Sequence, residues 1–239
     1  MRQLALDLIA EAPASFDNFV AGPNTEALAA LRMVAAGRSP VSRVHLWGEP
    51  ASGKTHLLRA LAGTPLGPAS AIDAFSACGE AAARVIAVDD CDRLDDTRQL
   101  ALFRLFNQRG DPGSAPIVTA SRHAPIALTE LRPELRTRLG SGLVLALRPL
   151  TDQEREQALR EAARATGVHA HDDVFHYLLT RKARDLRTLL AFFSALDRYA
   201  LERQRPLSAA LAREFDALID TPVEPPAAPR PIAGSGEPG

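Results

Sequence analysis

At 239 residues, the chain has room for one large domain or two small ones, and 46% hydrophobic with 24% charged residues excludes both wholesale disorder and collagen-like repetition. Lys and Arg (28) balance Asp and Glu (29) to a net charge of -1, which excludes the strongly basic face of a dedicated DNA binder. Eighteen uninterrupted apolar residues occur nowhere, MRQLALDLIAEAPAS is too weak for a secretory signal, and Cys78 and Cys91 alone make neither a disulfide framework nor a zinc site, so a cytoplasmic protein with no membrane partner is expected.

In chain order, four regions are expected: a leader over 1–15, an α/β body over 16–149, a helical region over 150–220 and a tail over 221–239. In the body, Val44-His45-Leu46-Trp47, Arg84-Val85-Ile86-Ala87-Val88, Ile117-Val118-Thr119 and Leu143-Val144-Leu145-Ala146-Leu147 read as short buried strands. Helical patterns lie between them, as over 97–108, where Leu100, Phe103, Leu105 and Phe106 fall near one face. That alternation predicts a parallel sheet with right-handed crossovers. Only about twenty mostly small residues, 64–83, lie between the helical pattern after the first run and the second run, so any additional strand and helix there must be abbreviated. After Pro149 the strand signal stops. Thr151 and Glu154 fit a capping box, and helical patterns follow at about 172–181, 184–203 and 208–219. The last residues, 222–239, hold six Pro and three Gly without apolar periodicity, and a disordered extension is expected there.

Gly48-Glu49-Pro50-Ala51-Ser52-Gly53-Lys54-Thr55 matches G-x-x-x-x-G-K-[ST] and stands between an apolar strand and a helical pattern, the context that the motif requires. Glycines let backbone N–H groups close around phosphate oxygens, and the following helix offers unsatisfied donors and its positive dipole end. Gly48, Ser52, Gly53, Lys54, Thr55 and His56 are therefore the expected nucleotide-binding set. Lys54 is expected to neutralise phosphate charge and the Thr55 hydroxyl to ligate Mg2+. The chain has only two lysines, and one falls on the required position. Val85 to Val88 followed by Asp89 and Asp90 supplies the acidic strand end that a phosphate loop needs. Without the upstream motif the same residues read as a strand ending in a polar turn. Asp89 is expected to hold Mg2+ through water and Asp90 to polarise an attacking water. Asp92, Asp95 and Asp96 are expected to be solvated loop and cap residues.

With these motifs in place, the sequence resembles the AAA+ ATPases of the DnaA branch and, within it, the Hda regulators, over nearly the whole chain except the tail. The resemblance implies a P-loop α/β nucleotide-binding domain with a parallel sheet, followed by a small all-helical lid. Phe16-Asp17-Asn18-Phe19-Val20-Ala21-Gly22-Pro23-Asn24 resembles the F-D-N-F-V-x-G segment, which in that branch lies beside the adenine. Thr119-Ala120-Ser121-Arg122 occupies the sensor 1 position, with Ser121 chosen over Thr119 as the nucleotide contact. Leu131 to Leu139 resembles the segment that carries an arginine finger, and Arg138 matches the finger, acting in trans. Chemistry alone leaves a solvated basic helix as the other reading. Arg184-Asp185-Leu186-Arg187 resembles sensor 2, which implies that Arg184 reaches the nucleotide from the lid while Arg187 pairs on the surface.

Gln3-Leu4-Ala5-Leu6-Asp7-Leu8 resembles the peptide with which Hda regulators engage the DNA polymerase III sliding clamp, so Gln3, Leu4, Leu6 and Leu8 are the expected clamp-binding residues. In isolation those residues also fit a frayed amphipathic start. DnaA-type initiators continue past the lid into a helix-turn-helix module, whereas this chain enters its Pro/Gly-rich stretch. Residues 151–220 carry 11 Lys or Arg against 12 Asp or Glu, so no dedicated DNA-binding domain is expected. The implied partners are DnaA and the clamp, with homo-oligomers also open, and the implied ligands are ADP or ATP with Mg2+. The implied function is regulation of replication initiation by promoting hydrolysis of DnaA-bound ATP. The competing readings are an autonomous ATPase that loads a helicase and a nucleotide-gated adaptor without hydrolysis.

Overall fold

Four apolar runs form strands: β1 (Arg43–Trp47), β2 (Ile86–Val88), β3 (Ile117–Ser121) and β4 (Leu143–Ala146). The computed structural model describes residues 13–80, 84–109, 114–181 and 185–220. All strands are parallel, in the order β2-β3-β1-β4, with Trp47 opposite Ser121, Val44 opposite Leu143 and Ile86 opposite Ile117. Parallel neighbours require crossovers, and helices supply them: α1 (Thr25–Ala35), α2 (Lys54–Ala62), α3 (Ile72–Glu80), α4 (Asp96–Arg109) and α5 (Pro133–Gly140).

Alternation along the strands assigns each side chain to a layer. Val44, Leu46, Ala87, Val118, Ala120 and Leu145 pack against Ala27, Leu31 and Val34 of α1 and Leu57 and Leu58 of α2. On the opposite face Ile86, Val88 and Ile117 meet Phe75 of α3, Leu102, Leu105 and Phe106 of α4, and Leu135 and Leu139 of α5. Cover on both faces explains why the strands read as nearly continuous apolar runs. Two bounds differ from the sequence pattern: the run from Arg84 pairs only from Ile86, and the run from Ile117 continues to Ser121. The abbreviated strand shrinks to a single bridge, in which the Leu66 amide donates to Ala87 O at 2.8 Å and the Asp89 amide donates to Leu66 O at 2.7 Å.

Beyond β4 come four helices, α6 (Asp152–Ala165), α7 (Asp172–Arg181), α8 (Leu186–Arg203) and α9 (Ala209–Asp220), with a core of their own that includes Leu159, Leu178, Leu189, Leu196, Leu211 and Phe215. The capping box opens α6: Glu154 N donates to Thr151 Oγ1 at 3.2 Å, and Thr151 N donates to Glu154 Oε2 at 2.8 Å. The N-terminal segment is fastened at this junction. Asn24 donates through Nδ2 to Arg148 O and accepts from Arg148 N, both at 2.8 Å. No helix among the described residues is long and apolar enough to cross a membrane.

Candidate nucleotide site

Strand β1 delivers the chain into the loop 48–53, whose backbone bends in ways that only some residues tolerate. Gly48 has φ +155°, and a Cβ there would sit 2.0 Å from Leu147 O; Gly53 has φ +92°, and its Cβ would sit 2.6 Å from Phe19 Cε2. Helix α2 begins at Lys54 directly after Gly53, so its unsatisfied first-turn amides and dipole end face the loop. The Gly48 amide donates to Ser121 O at 3.3 Å, tying the loop to the end of β3. Ser52 is buried. Lys54 folds back, with Nζ donating to Gly48 O at 2.6 Å, Glu49 O at 2.9 Å and Ser52 Oγ at 3.3 Å. Burial lowers its pKa, against the opposing pull of Asp89, Asp90 and Asp92.

The acidic strand end meets this loop across β3. Thr55 Oγ1 donates to Asp89 Oδ2 at 2.6 Å, while the other Asp89 oxygen accepts from the Asp90 amide at 2.9 Å. Asp90 is in the left-handed region at φ +46° and pairs with Arg93 at 3.5 Å. Burial, with Asp89 and Asp92 beside it, raises the Asp90 pKa. Asp92 is not merely a solvated loop residue, because its Oδ2 accepts the Arg122 amide at 3.2 Å. Asp95 caps α4 as expected, through Oδ1 to the Arg98 amide at 2.8 Å. Among the described residues no cluster of three His, Cys, Asp or Glu forms a metal centre; Thr55 and Asp89 are instead a hydroxyl and carboxylate pair beside the phosphate loop.

At the end of β3 the structure distinguishes two neighbours. Ser121 is fully buried; its Oγ donates to His123 O at 2.6 Å and meets His45 Nε2 at 2.9 Å. Arg122 is exposed and lines a cavity of about 290 Å3 together with Gly53, Lys54, Thr55, His56 and Asp90. Sequence reasoning missed His45, whose burial on β1 lowers its pKa from 6.5 to about 4. The only local signal was a histidine inside an apolar strand.

A second cavity, of about 280 Å3, opens between the loop and the helical region. Asn18, Phe19 and Val20 line it from the N-terminal segment, Ala51, Ser52, Gly53 and His56 from the loop and α2, and Leu186, Arg187, Leu190, Ser194 and Arg198 from α8. Phe19 lies 5.5 Å from His56, whose Nε2 donates to Ser15 O at 2.9 Å. The sequence assigns neither of two cations to this cleft. Arg187, expected on the surface, lines this cleft because positions 187, 190, 194 and 198 share one face of α8, and Arg198 lines it one turn beyond Ser194. Arg184, the leader residues Gln3, Leu4, Leu6 and Leu8, and the tail lie outside the described residues.

Arg138 stands elsewhere. On α5, its Nη2 donates to Asn107 Oδ1 at 3.0 Å and its guanidinium lies 6.0 Å from the Phe103 ring of α4. It lines neither cavity at the phosphate loop.

Residues 152–215 match the family model described as Hda, lid domain. An uncharacterized protein of Haemophilus influenzae is 30% identical over 228 residues, covering 90% of this chain and 98% of that protein. Among solved structures, domain III of the Thermotoga maritima replication initiation protein DnaA superposes with a TM-score of 0.66 at 22% identity, over 89% of this chain and 100% of that one. AMPPCP-bound DnaA from Aquifex aeolicus gives 0.58 at 20% identity, over 80% of this chain and 69% of that one. A Thermotoga maritima RuvB variant gives 0.61 at 20% identity, over 85% and 72%. A parallel sheet carrying a phosphate loop, the four helices that match the lid and the DnaA-like fold agree, and the chain belongs to the Hda family of DnaA-related AAA+ replication regulators.

Proposed function

We propose that this regulator binds adenine nucleotide at its phosphate loop and promotes hydrolysis of ATP bound to DnaA, supplying Arg138 in trans. The observation that carries this reading is the position of Arg138 on α5, held by Asn107 and lining neither cavity of its own loop. A guanidinium outside its own site is suited to a neighbour's nucleotide, where a planar, permanently charged fork engages two phosphoryl oxygens. Gly48, Ser52, Gly53, Lys54, Thr55 and His56 bind the chain's own nucleotide, ADP or ATP, with Arg184 reaching it from the lid. The bound AMPPCP of the Aquifex aeolicus relative supports that ligand class.

Thr55 and Asp89 suit Mg2+, which takes few protein oxygens and completes its shell from phosphates and water. When bound there, the ion would supply positive charge that offsets the phosphates. Gln3, Leu4, Leu6 and Leu8 dock the leader into a groove of the sliding clamp, Gln3 through directional hydrogen bonds and the leucines through burial. The raised pKa of Asp90 beside Asp89 supports a second reading, in which the chain also hydrolyses its own ATP with Asp90 polarising water. Single-turnover hydrolysis of ATP preloaded on DnaA, with clamp on DNA, tests the first reading. Stimulation by wild type and its loss in Arg138→Ala are expected, and absent stimulation by wild type overturns it.

A further inference from the structure

We propose that the pole of the α/β domain opposite the phosphate loop is a docking surface for the phosphate backbone of duplex DNA, with Arg38, Arg43, Arg84 and Arg104 as its cations.

A net charge of -1 fixes the total and not the arrangement. In a parallel sheet every strand starts at one pole and ends at the other, so the connecting segments separate into two sets. Those after the strands hold the carboxylates, with Asp89, Asp90, Asp92 and Asp95 following β2 alone. Those that lead into the strands carry Arg38 before β1 and Arg84 before β2, and Arg43 is the first residue of β1. The described residues of these entry segments, 36–42, 84–85, 114–116 and 141–142, include no Asp or Glu. Helices α1, α4 and α5 end at this pole, and cations there offset their dipoles, but Arg43 and Arg84 enter strands and end no helix.

The four cations are uncommitted. Arg32, Arg93, Arg98 and Arg132 each pair with a carboxylate. Among the described residues none pairs with Arg38, Arg43, Arg84 or Arg104. Arg43 is nonetheless held in place. Its Nη1 donates to Ser141 Oγ at 3.2 Å, Ser141 Oγ donates to Arg138 O at 2.8 Å, and Arg138 bonds Asn107, one turn from the exposed Arg104 on α4. Gly142 lies so close that a Cβ there would sit 2.2 Å from Arg43 O. Arg43 Nε is buried and has no acceptor of its own. Across β3, Ile117 is the register partner of both Arg43 and Ile86, so Arg43 and the β2 entry at Arg84 are two strand spacings apart laterally, about 10 Å.

The surroundings select the partner. Protein interfaces bury apolar anchors, and none of the exposed large apolar side chains, Met33, Ile126 and Leu201, stands on the entry segments. Single strands are held by stacking on aromatic rings, and no aromatic side chain is exposed among the described residues. Spaced guanidinium groups without anchors or rings match sequence-independent contact with duplex phosphates. A surface of this kind needs no dedicated DNA-binding domain, and a balanced composition conceals it.

Fluorescence anisotropy of a labelled mixed-sequence duplex, titrated at several salt concentrations, tests the assignment. Wild type is expected to bind unrelated sequences equally, with a Kd of about 10⁻⁴–10⁻⁶ M and a slope of log K against log salt of about −3 to −4, because about four phosphates are neutralised. Arg38→Gln, Arg84→Gln and Arg104→Gln are each expected to flatten that slope by about one unit, and together to weaken binding about tenfold or more. Arg164→Gln, on an exposed position of α6, is expected to change neither. The three side chains are exposed, so thermal midpoints are expected to match wild type and the loss of binding reports the surface itself. No binding by wild type at low salt, or a slope that the three variants leave unchanged, overturns the inference. Tighter binding to polyglutamate or to single-stranded DNA than to the duplex overturns it as well.

Discussion

Thr55 and Asp89 share a 2.6 Å hydrogen bond that joins the first turn of α2, which follows β1, to the residue after β2, although β3 lies between β1 and β2 in the sheet. Under the proposed function this hydroxyl and this carboxylate would together hold Mg2+ beside the nucleotide. Thr55→Val is therefore expected to weaken nucleotide binding chiefly when Mg2+ is present. Lys54→Ala is expected to weaken it about tenfold or more with or without the ion, because clustered phosphate charge loses its counter-charge. Calorimetry with Mg2+ and with chelator tests the pair, and equal effects of both variants under both conditions would contradict the division of labour.

The glycine that opens α2 carries a steric prediction. At φ +92°, and with a Cβ destined to lie 2.6 Å from Phe19 Cε2, Gly53→Ala is expected to cost about 1–3 kcal/mol of stability and to lower nucleotide affinity. Adding Phe19→Leu to it should recover part of the stability by removing the clash, though not the part owed to backbone strain. Thermal unfolding of the two single variants and the double variant measures this, and strict additivity would place the cost in the backbone alone.

Acid should weaken the fold through His45. The folded state holds this imidazole neutral with a pKa of about 4, because burial disfavours its charged form, whereas the unfolded chain takes up the proton near 6.5. Stability contributed by the neutral ring is fully present above pH 6.5 and is lost as pH falls toward 4, by about 3 kcal/mol in total. Urea unfolding across that range should show the slope in wild type and a shallower one in His45→Gln. Identical slopes would remove His45 as its source.

Deleting residues 1–8 is expected to abolish clamp binding and leave nucleotide affinity unchanged. Leu6 and Leu8 would each contribute roughly 1.5–3 kcal/mol of burial before ordering costs are subtracted. Surface plasmon resonance against immobilised clamp tests this, and normal binding by the truncated chain would dismiss the leader.

Arg138→Ala is expected to keep nucleotide and clamp affinity and yet lose stimulation of DnaA-bound ATP hydrolysis by several orders of magnitude, toward the 10³ to 10⁵ that such arginines supply. Arg138→Lys should restore only part of it, since an ammonium offers one compact point charge. Single-turnover rates decide, and undiminished stimulation by Arg138→Ala would refute the finger.

The amino-acid sequence determined by itself whatever depends on short spacing. The phosphate loop from Gly48 to Thr55, the strand ending at Asp89, the capping box of Thr151 and Glu154 and the strand-helix alternation each rest on neighbours within a turn or a strand, where backbone geometry is local. Helix α1 is legible in the same way, since Ala27, Leu31 and Val34 recur at helical spacing. Contacts between distant segments were not legible. His45 meets Ser121 from 76 residues away because β1 and β3 are placed in register, and periodicity in either strand says nothing of that register. Arg187 entered the cleft because the packing of α8 against the loop chose which face looks inward. The division between Ser121 and Arg122 follows from the same cause: β3 ends at the buried Ser121, and the chain leaves the covered sheet at Arg122, an edge that only the assembled layers define.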